Sequence, residues 1–79
     1  MCVDVKQLEA VTDVVGELKK AREKFGPFSS AHEGIAVIEE EFIELREEVF
    51  LKNRTLEAMR LEAKQLAAMA LRFMLDVCG

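Results

Sequence analysis

The sequence predicts an all-α fold: a three-helix subunit with short turns that assembles into an oligomeric helical bundle. Apolar residues recur at three- and four-residue steps through three segments. Two short breaks, Phe25-Gly26-Pro27-Phe28 and Lys52-Asn53-Arg54-Thr55, separate those segments. Neither an alternating strand pattern nor an internal repeat is visible. At 79 residues the chain, positions 1–79, reads as a single domain.

The first helix is expected from about Val5 to Lys24. Leu8, Val11, Val15 and Leu18 form its apolar stripe. Gly16 weakens it slightly. Gly26 and Pro27 stop it, because Gly suits the position after a helix and Pro cannot continue one. The second helix starts after Ser30, where Ser30-Ala31-His32-Glu33 fits a capping box. Its stripe is Ile35, Ile38, Phe42, Leu45 and Val49, and it fades near Leu51. Asn53 and Thr55 are alternative caps for the third helix, expected from about Leu56 to Val77. That helix carries Met59, Ala63, Leu66, Ala70, Phe73 and Val77 as a stripe, and its middle is apolar nearly all round.

Composition sharpens the picture. A domain of this size buries only about 60% of the surface its unfolded chain exposes. Yet 51% of the residues are hydrophobic. One small bundle hides too little of that surface, so a homo-oligomer is expected, a tetramer before a dimer because the third helix has so little polar face. A net charge of −4 argues against binding nucleic acid through bulk electrostatics. No apolar run is long enough to span a membrane. Met1–Lys6 lacks a basic region followed by an apolar stretch, so no secretory leader is expected. Cys2 and Cys78 then read as free thiols in a reducing, cytoplasmic setting.

The chemistry lies in the carboxylates. Glu41 and Glu44 are three apart on one helix, and Glu62 opens Glu62-Ala63-Lys64-Gln65 on the next. If the second and third helices pack antiparallel, their acidic flanks face each other. Glu41, Glu44 and Glu62 then converge, with Gln65 as a neutral oxygen donor. Several oxygens from two facing helices can hold a hard divalent cation. The competing reading is plain: six Glu between positions 39 and 48 also make a solvated helix face. Their mutual repulsion would be relieved by a bound cation.

These residues resemble a known family. Glu40-Glu41-Phe42-Ile43-Glu44 is similar to the Glu-Glu-x-x-Glu signature of the MazG-like, all-α nucleoside triphosphate pyrophosphohydrolases. Lys24–Phe28, Ala31–Gly34 and Glu62–Ala70 resemble further segments of small MazG-like proteins, so the resemblance spans about residues 22 to 77. It implies hydrolysis of a nucleoside triphosphate to a monophosphate and pyrophosphate, for nucleotide-pool housecleaning. It implies Mg²⁺ held by Glu41, Glu44 and Glu62, in a dimer or tetramer. The family's second motif reads Glu-x-x-Asp; here Gln65 stands at the Asp position and brings oxygen without charge.

On this reading Glu41 or Glu44 serves as the base for the attacking water. Lys24, Lys52, Arg54 and Arg72 are candidates for the phosphates, set against ordinary surface charge. Phe25 and Phe28 can stack on a base or pack over the bundle end. Asp76 is not an obvious substitute for the missing Asp, although it can reach a distal phosphate or a partner subunit. His32, in the first turn of the second helix, is expected to be exposed or part of the cap and not a catalyst. The alternative function is a non-catalytic interaction module that binds a partner through its apolar third helix. A di-iron carboxylate site is discounted, because it wants Glu-x-x-His pairs and the residue three before His32 is Ser29.

Overall fold

The computed structural model describes residues 4–79. It is 80% helical, with three helices and no strand among the described residues. They are α1 (Val5–Lys24), α2 (Ala31–Phe50) and α3 (Leu56–Asp76). Among the described residues, no helix is long and apolar enough to cross a membrane. Cys78 is an exposed free thiol, and Cys2 lies outside the described residues.

Each helix begins on a side-chain cap. Asp4, Ser30 and Thr55 accept the backbone N–H of Gln7, Glu33 and Ala58 at 3.1, 3.0 and 3.1 Å. Such a cap satisfies one of the donors that a helix start leaves orphaned. Thr55, and not Asn53, is the cap of α3. Only half of the expected capping box forms: the Glu33 carboxylate accepts the Ser29 hydroxyl. Gly26 does not use left-handed backbone, since no glycine has positive φ. α1 ends instead as Phe25 turns extended, ahead of Pro27.

α1 and α2 each pack on α3 and not on each other. Asp13 pairs with Arg60 at 2.8 Å, Glu17 with Lys64 at 3.9 Å and Arg22 with Asp76 at 3.3 Å. Sequence number rises together in these pairs, so α1 runs parallel to α3. Gly34 lies against Phe73, and Glu41 and Glu44 lie beside Glu62, so α2 runs antiparallel to it.

The core is small. Phe28, Ala68 and Met69 are its buried apolar residues, flanked by Val14, Leu18, Ala21, Val37, Ile38 and Phe73. This corrects the expected stripes. Leu8, Val11 and Val15 of α1 are exposed, as are Ile35, Phe42 and Val49 of α2 and Ala63 and Ala70 of α3. The face of α2 that meets α3 is instead Gly34, Ile38, Glu41, Leu45 and Glu48. The helices are thus rotated so that part of each acidic flank turns inward.

Arg72 and Asp76 tie the α1–α2 loop to α3. The Arg72 guanidinium is buried, sits 4.0 Å from the Phe28 ring centroid and donates to the Gly26 carbonyl. Its Nε lies 3.4 Å from Asp76 Oδ2, a close ion pair that is not aligned as a hydrogen bond. Asp76 also accepts the Phe28 backbone N–H at 3.2 Å. Arg72 is therefore no surface cation, and Asp76 is a structural anchor of the loop.

Removing one partner from a buried pair strands the other, at a cost of about 3–5 kcal/mol. Asp76→Ala is therefore expected to lower unfolding stability by about 3 kcal/mol in urea titration, because Arg22 and the Phe28 N–H lose their acceptor too. Gly34 generates a second prediction. A Cβ there would lie 2.6 Å from Phe73 Cδ2 and 3.3 Å from Phe28 Cδ2. Overpacking of about 1–3 kcal/mol outweighs the helix-propensity gain of about 1 kcal/mol, so Gly34→Ala lowers the urea midpoint.

Candidate metal centre

The α2–α3 packing brings three carboxylates together. Glu41, Glu44 and Glu62 each offer an oxygen, and these oxygens all lie within 4.8 Å of one another. Glu41 and Glu62 are half-buried, whereas Glu44 is exposed. Helix periodicity explains the convergence: Glu41 and Glu44 are neighbours along α2, and the antiparallel α3 presents Glu62 across the seam.

The group is electrostatically frustrated. Two like charges about 4 Å apart repel by about 4 kcal/mol near a protein surface, against about 1 in bulk water. Desolvation, followed by the charge and hydrogen bond of Glu44, pushes the Glu41 carboxyl up to about 7. Burial and then the same neighbour raise Glu62, with Glu48 adding to the effect. Glu41 Oε2 and Glu62 Oε2 are buried and have no hydrogen-bond partner. Unpaired buried acceptors are costly, so these oxygens want a proton or a cation.

An open cleft of about 920 Å³ starts beside this group. α1 contributes Glu17, Lys20 and Lys24, and the loop contributes Phe25 to Phe28. α2 adds Val37, Glu40 and Glu41; α3 adds Gln65, Met69 and Arg72. Among the expected site residues, the cleft therefore gathers Lys24, Phe25, Gln65 and Arg72 next to Glu41. Gln65 is one turn beyond Glu62 and half-buried. Lys52 and Arg54 stand in the α2–α3 turn and do not line the cleft. Arg72 forms part of its wall with its guanidinium already engaged by Gly26, Phe28 and Asp76. Phe28 is buried in the core, while Phe25 is half-exposed with Lys24 Nζ 5.2 Å from its ring centroid.

Lys20 and Glu17 belong to the cleft but were missed in the sequence reading. Lys20 was legible, because it lies four residues before Lys24 on the same helix face. Glu17 was not, since its place depends on the packing of α1 against Lys64 of α3.

No family model, no curated protein and no solved structure matches this chain.

Glu41 also makes stability depend on pH. Its native carboxyl keeps its proton up to about 7, while the unfolded side chain loses it near 4.5. Between those values the unfolded state binds fewer protons, so stability falls as pH rises through this window and levels off above it. Metal-free protein followed by urea denaturation from pH 4.5 to 8 should show that fall. Glu41→Gln should flatten it and be more stable than wild type at pH 8.

Proposed function

We propose that this chain is a Mg²⁺-dependent nucleoside triphosphate pyrophosphohydrolase of the MazG-like type, converting NTP or dNTP to NMP and pyrophosphate. One observation carries the reading: Glu41, Glu44 and Glu62 converge from two helices, with buried unpaired oxygens on Glu41 and Glu62.

The donor set fits the ion. All three groups are carboxylates, and hard Mg²⁺ prefers oxygen. The unpaired acceptors at Glu41 and Glu62 are what a cation would satisfy, and its charge would remove the repulsion that raises both carboxyls. Glu41, Glu44 and Glu62 would hold it, with Gln65 offering a neutral carbonyl oxygen nearby. When bound, Mg²⁺ would supply positive charge against the phosphate oxygens, where negative charge builds in the transition state.

The chain's own residues account for the rest. Lys20 and Lys24 would hold the outer phosphates from the α1 side of the cleft. Phe25, half-exposed at its edge, would offer a ring face to the base. Glu41 or Glu44 would accept a proton from water as its oxygen bonds to the α-phosphorus. The bond from that phosphorus to the bridging oxygen would break, and pyrophosphate would leave. The reading carries a reducing, cytoplasmic setting with it.

The alternative is a non-catalytic interaction module. The half-exposed apolar side chains on all three helices favour it. The two readings separate in one pair of measurements. The enzyme should release pyrophosphate from nucleoside triphosphates only with Mg²⁺, and Mg²⁺ alone should raise its Tm, because a ligand of the native state stabilises it. Glu41→Gln and Glu44→Gln should each lower kcat/KM by about 100-fold or more. Turnover unchanged in both variants would remove these carboxylates from the reaction, and no turnover with no Mg²⁺ effect on Tm would favour the module.

A further inference from the structure

Arg72 is the buried charged residue of the described chain, at 4% exposure, and the chemistry proposed above does not use it. Glu62 stands ten residues earlier on α3, roughly 15 Å away along the helix axis. The Arg72 guanidinium is also committed on every nitrogen. Nη2 donates to the Gly26 carbonyl, Nη1 donates to Met69 Sδ at 3.8 Å, and Nε lies beside the Asp76 carboxylate. It has no fork left for a phosphate, although it forms part of the cleft wall.

Stability alone does not call for this arrangement. Burying a guanidinium costs its hydration, and well-packed apolar residues often serve as well as a buried ion pair. What Arg72 and Asp76 do is hold a loop by its backbone. The Gly26 carbonyl accepts from Arg72, and the Phe28 N–H donates to Asp76 at 3.2 Å. Pro27 stands between them, with its φ fixed by the ring. On the other side, the Phe25 N–H donates to the Ala21 carbonyl of α1 at 2.8 Å. The Phe25 backbone, extended at φ −121° and ψ 148°, is thus held on both flanks. The guanidinium is within cation–π reach of both rings, 4.0 Å from the Phe28 centroid and 5.9 Å from that of Phe25. Phe28 is buried, and Phe25 is 53% exposed where it lines the cleft. One buried cation therefore fixes where the exposed ring stands.

We propose that Arg72 is a positioning residue for the nucleoside end of the substrate, acting through Phe25. The proposal rests on the catalytic reading above. A ring already held in place spends less binding energy on being ordered when a base stacks on it. Arginine suits the task because its planar fork meets a carbonyl, a carboxylate and a ring face together, which a lysine ammonium does not. The base is unchanged in the reaction, so stacking on it favours ground state and transition state alike. Its loss then appears in KM and not in kcat.

Steady-state hydrolysis tests this, with whichever ordinary ribo- or deoxyribonucleoside triphosphate the wild type turns over fastest. Arg72→Lys, checked as helical by far-UV circular dichroism, should raise KM about tenfold at unchanged kcat, the size of one lost base–aromatic stack. Inorganic tripolyphosphate has no base, so its competitive Ki should stay at the wild-type value. Phe25→Leu should give the same rise in KM. Adding Arg72→Lys to it should change KM no further, because the two residues act as one unit. If Arg72→Lys loses its helix signal, Asp76→Asn is read instead. It keeps an acceptor for the Phe28 N–H, removes the carboxylate charge beside Arg72, and should show the same pattern. A wild-type KM in the helical variant overturns the proposal. So does equal weakening of substrate and tripolyphosphate, which marks a generally distorted cleft, or additive effects in the double variant. A wild type without turnover removes the catalytic reading and this proposal with it, whereas turnover with an unmoved KM sinks this proposal alone.

Discussion

Everything in this chain's fold is built on one helix. α1 and α2 make no packing contact with each other, so α3 supplies the second wall of both helix–helix seams. A helix asked to serve two neighbours must be buried on two sides, and α3 holds Ala68, Met69 and Arg72, the deepest residues of its own length. Arg72 follows from that demand. It lies where the loop between α1 and α2 must cross the end of α3, and a planar guanidinium can face an aromatic ring, a carbonyl and a carboxylate at once. An aliphatic side chain there could pack on Phe28 but would leave the Gly26 carbonyl without its donor and Asp76 with Arg22 as its one remaining cation.

The cleft and the carboxylate group are consequences of the same geometry. Because α1 and α2 stand apart over α3, the gap between them stays open, and its floor is the α3 face carrying Gln65, Met69 and Arg72. Because α2 meets α3 through Gly34, Ile38, Glu41 and Leu45, one glutamate is drawn into the seam opposite Glu62. Gly34 lets the helices approach closely at one end, with the Phe73 ring where a larger residue would need space. The close approach and the shared carboxylates sit along one seam, roughly two to three turns apart.

The number, order and ends of the helices were legible in the sequence, because caps such as Ser30 and Thr55 and the break at Pro27 act locally. The convergence of Glu41, Glu44 and Glu62 was legible too, from spacing and an antiparallel hairpin. The rotation of each helix was not. Hydrophobic periodicity marks the most apolar face, Ile35–Phe42–Val49 on α2, and assigns it to the core. Within one chain the face that packs is decided by fit and polar satisfaction as well. That is why Glu41, Glu48 and Asp76 turn inward while Phe42 stays half-exposed. Asp76 could not have been placed from spacing, since its partners Arg22 and Phe28 are 54 and 48 residues away.

The rotation carries a physical lesson about where carboxylates are tolerated. Burying Glu41 and Glu62 beside Glu44 is unfavourable for the isolated chain, and the raised carboxyls record that cost. Turning α2 by about a fifth of a revolution would bury Phe42 against α3 and release Glu41 to water, a change favoured on apolar area alone. The fold does the opposite and leaves Ile35, Phe42 and Val49 half-exposed. Exposed apolar side chains and buried unpaired carboxylates each cost free energy. On α2 both costs arise from one rotation about the helix axis, which sets Phe42 outward and Glu41 inward.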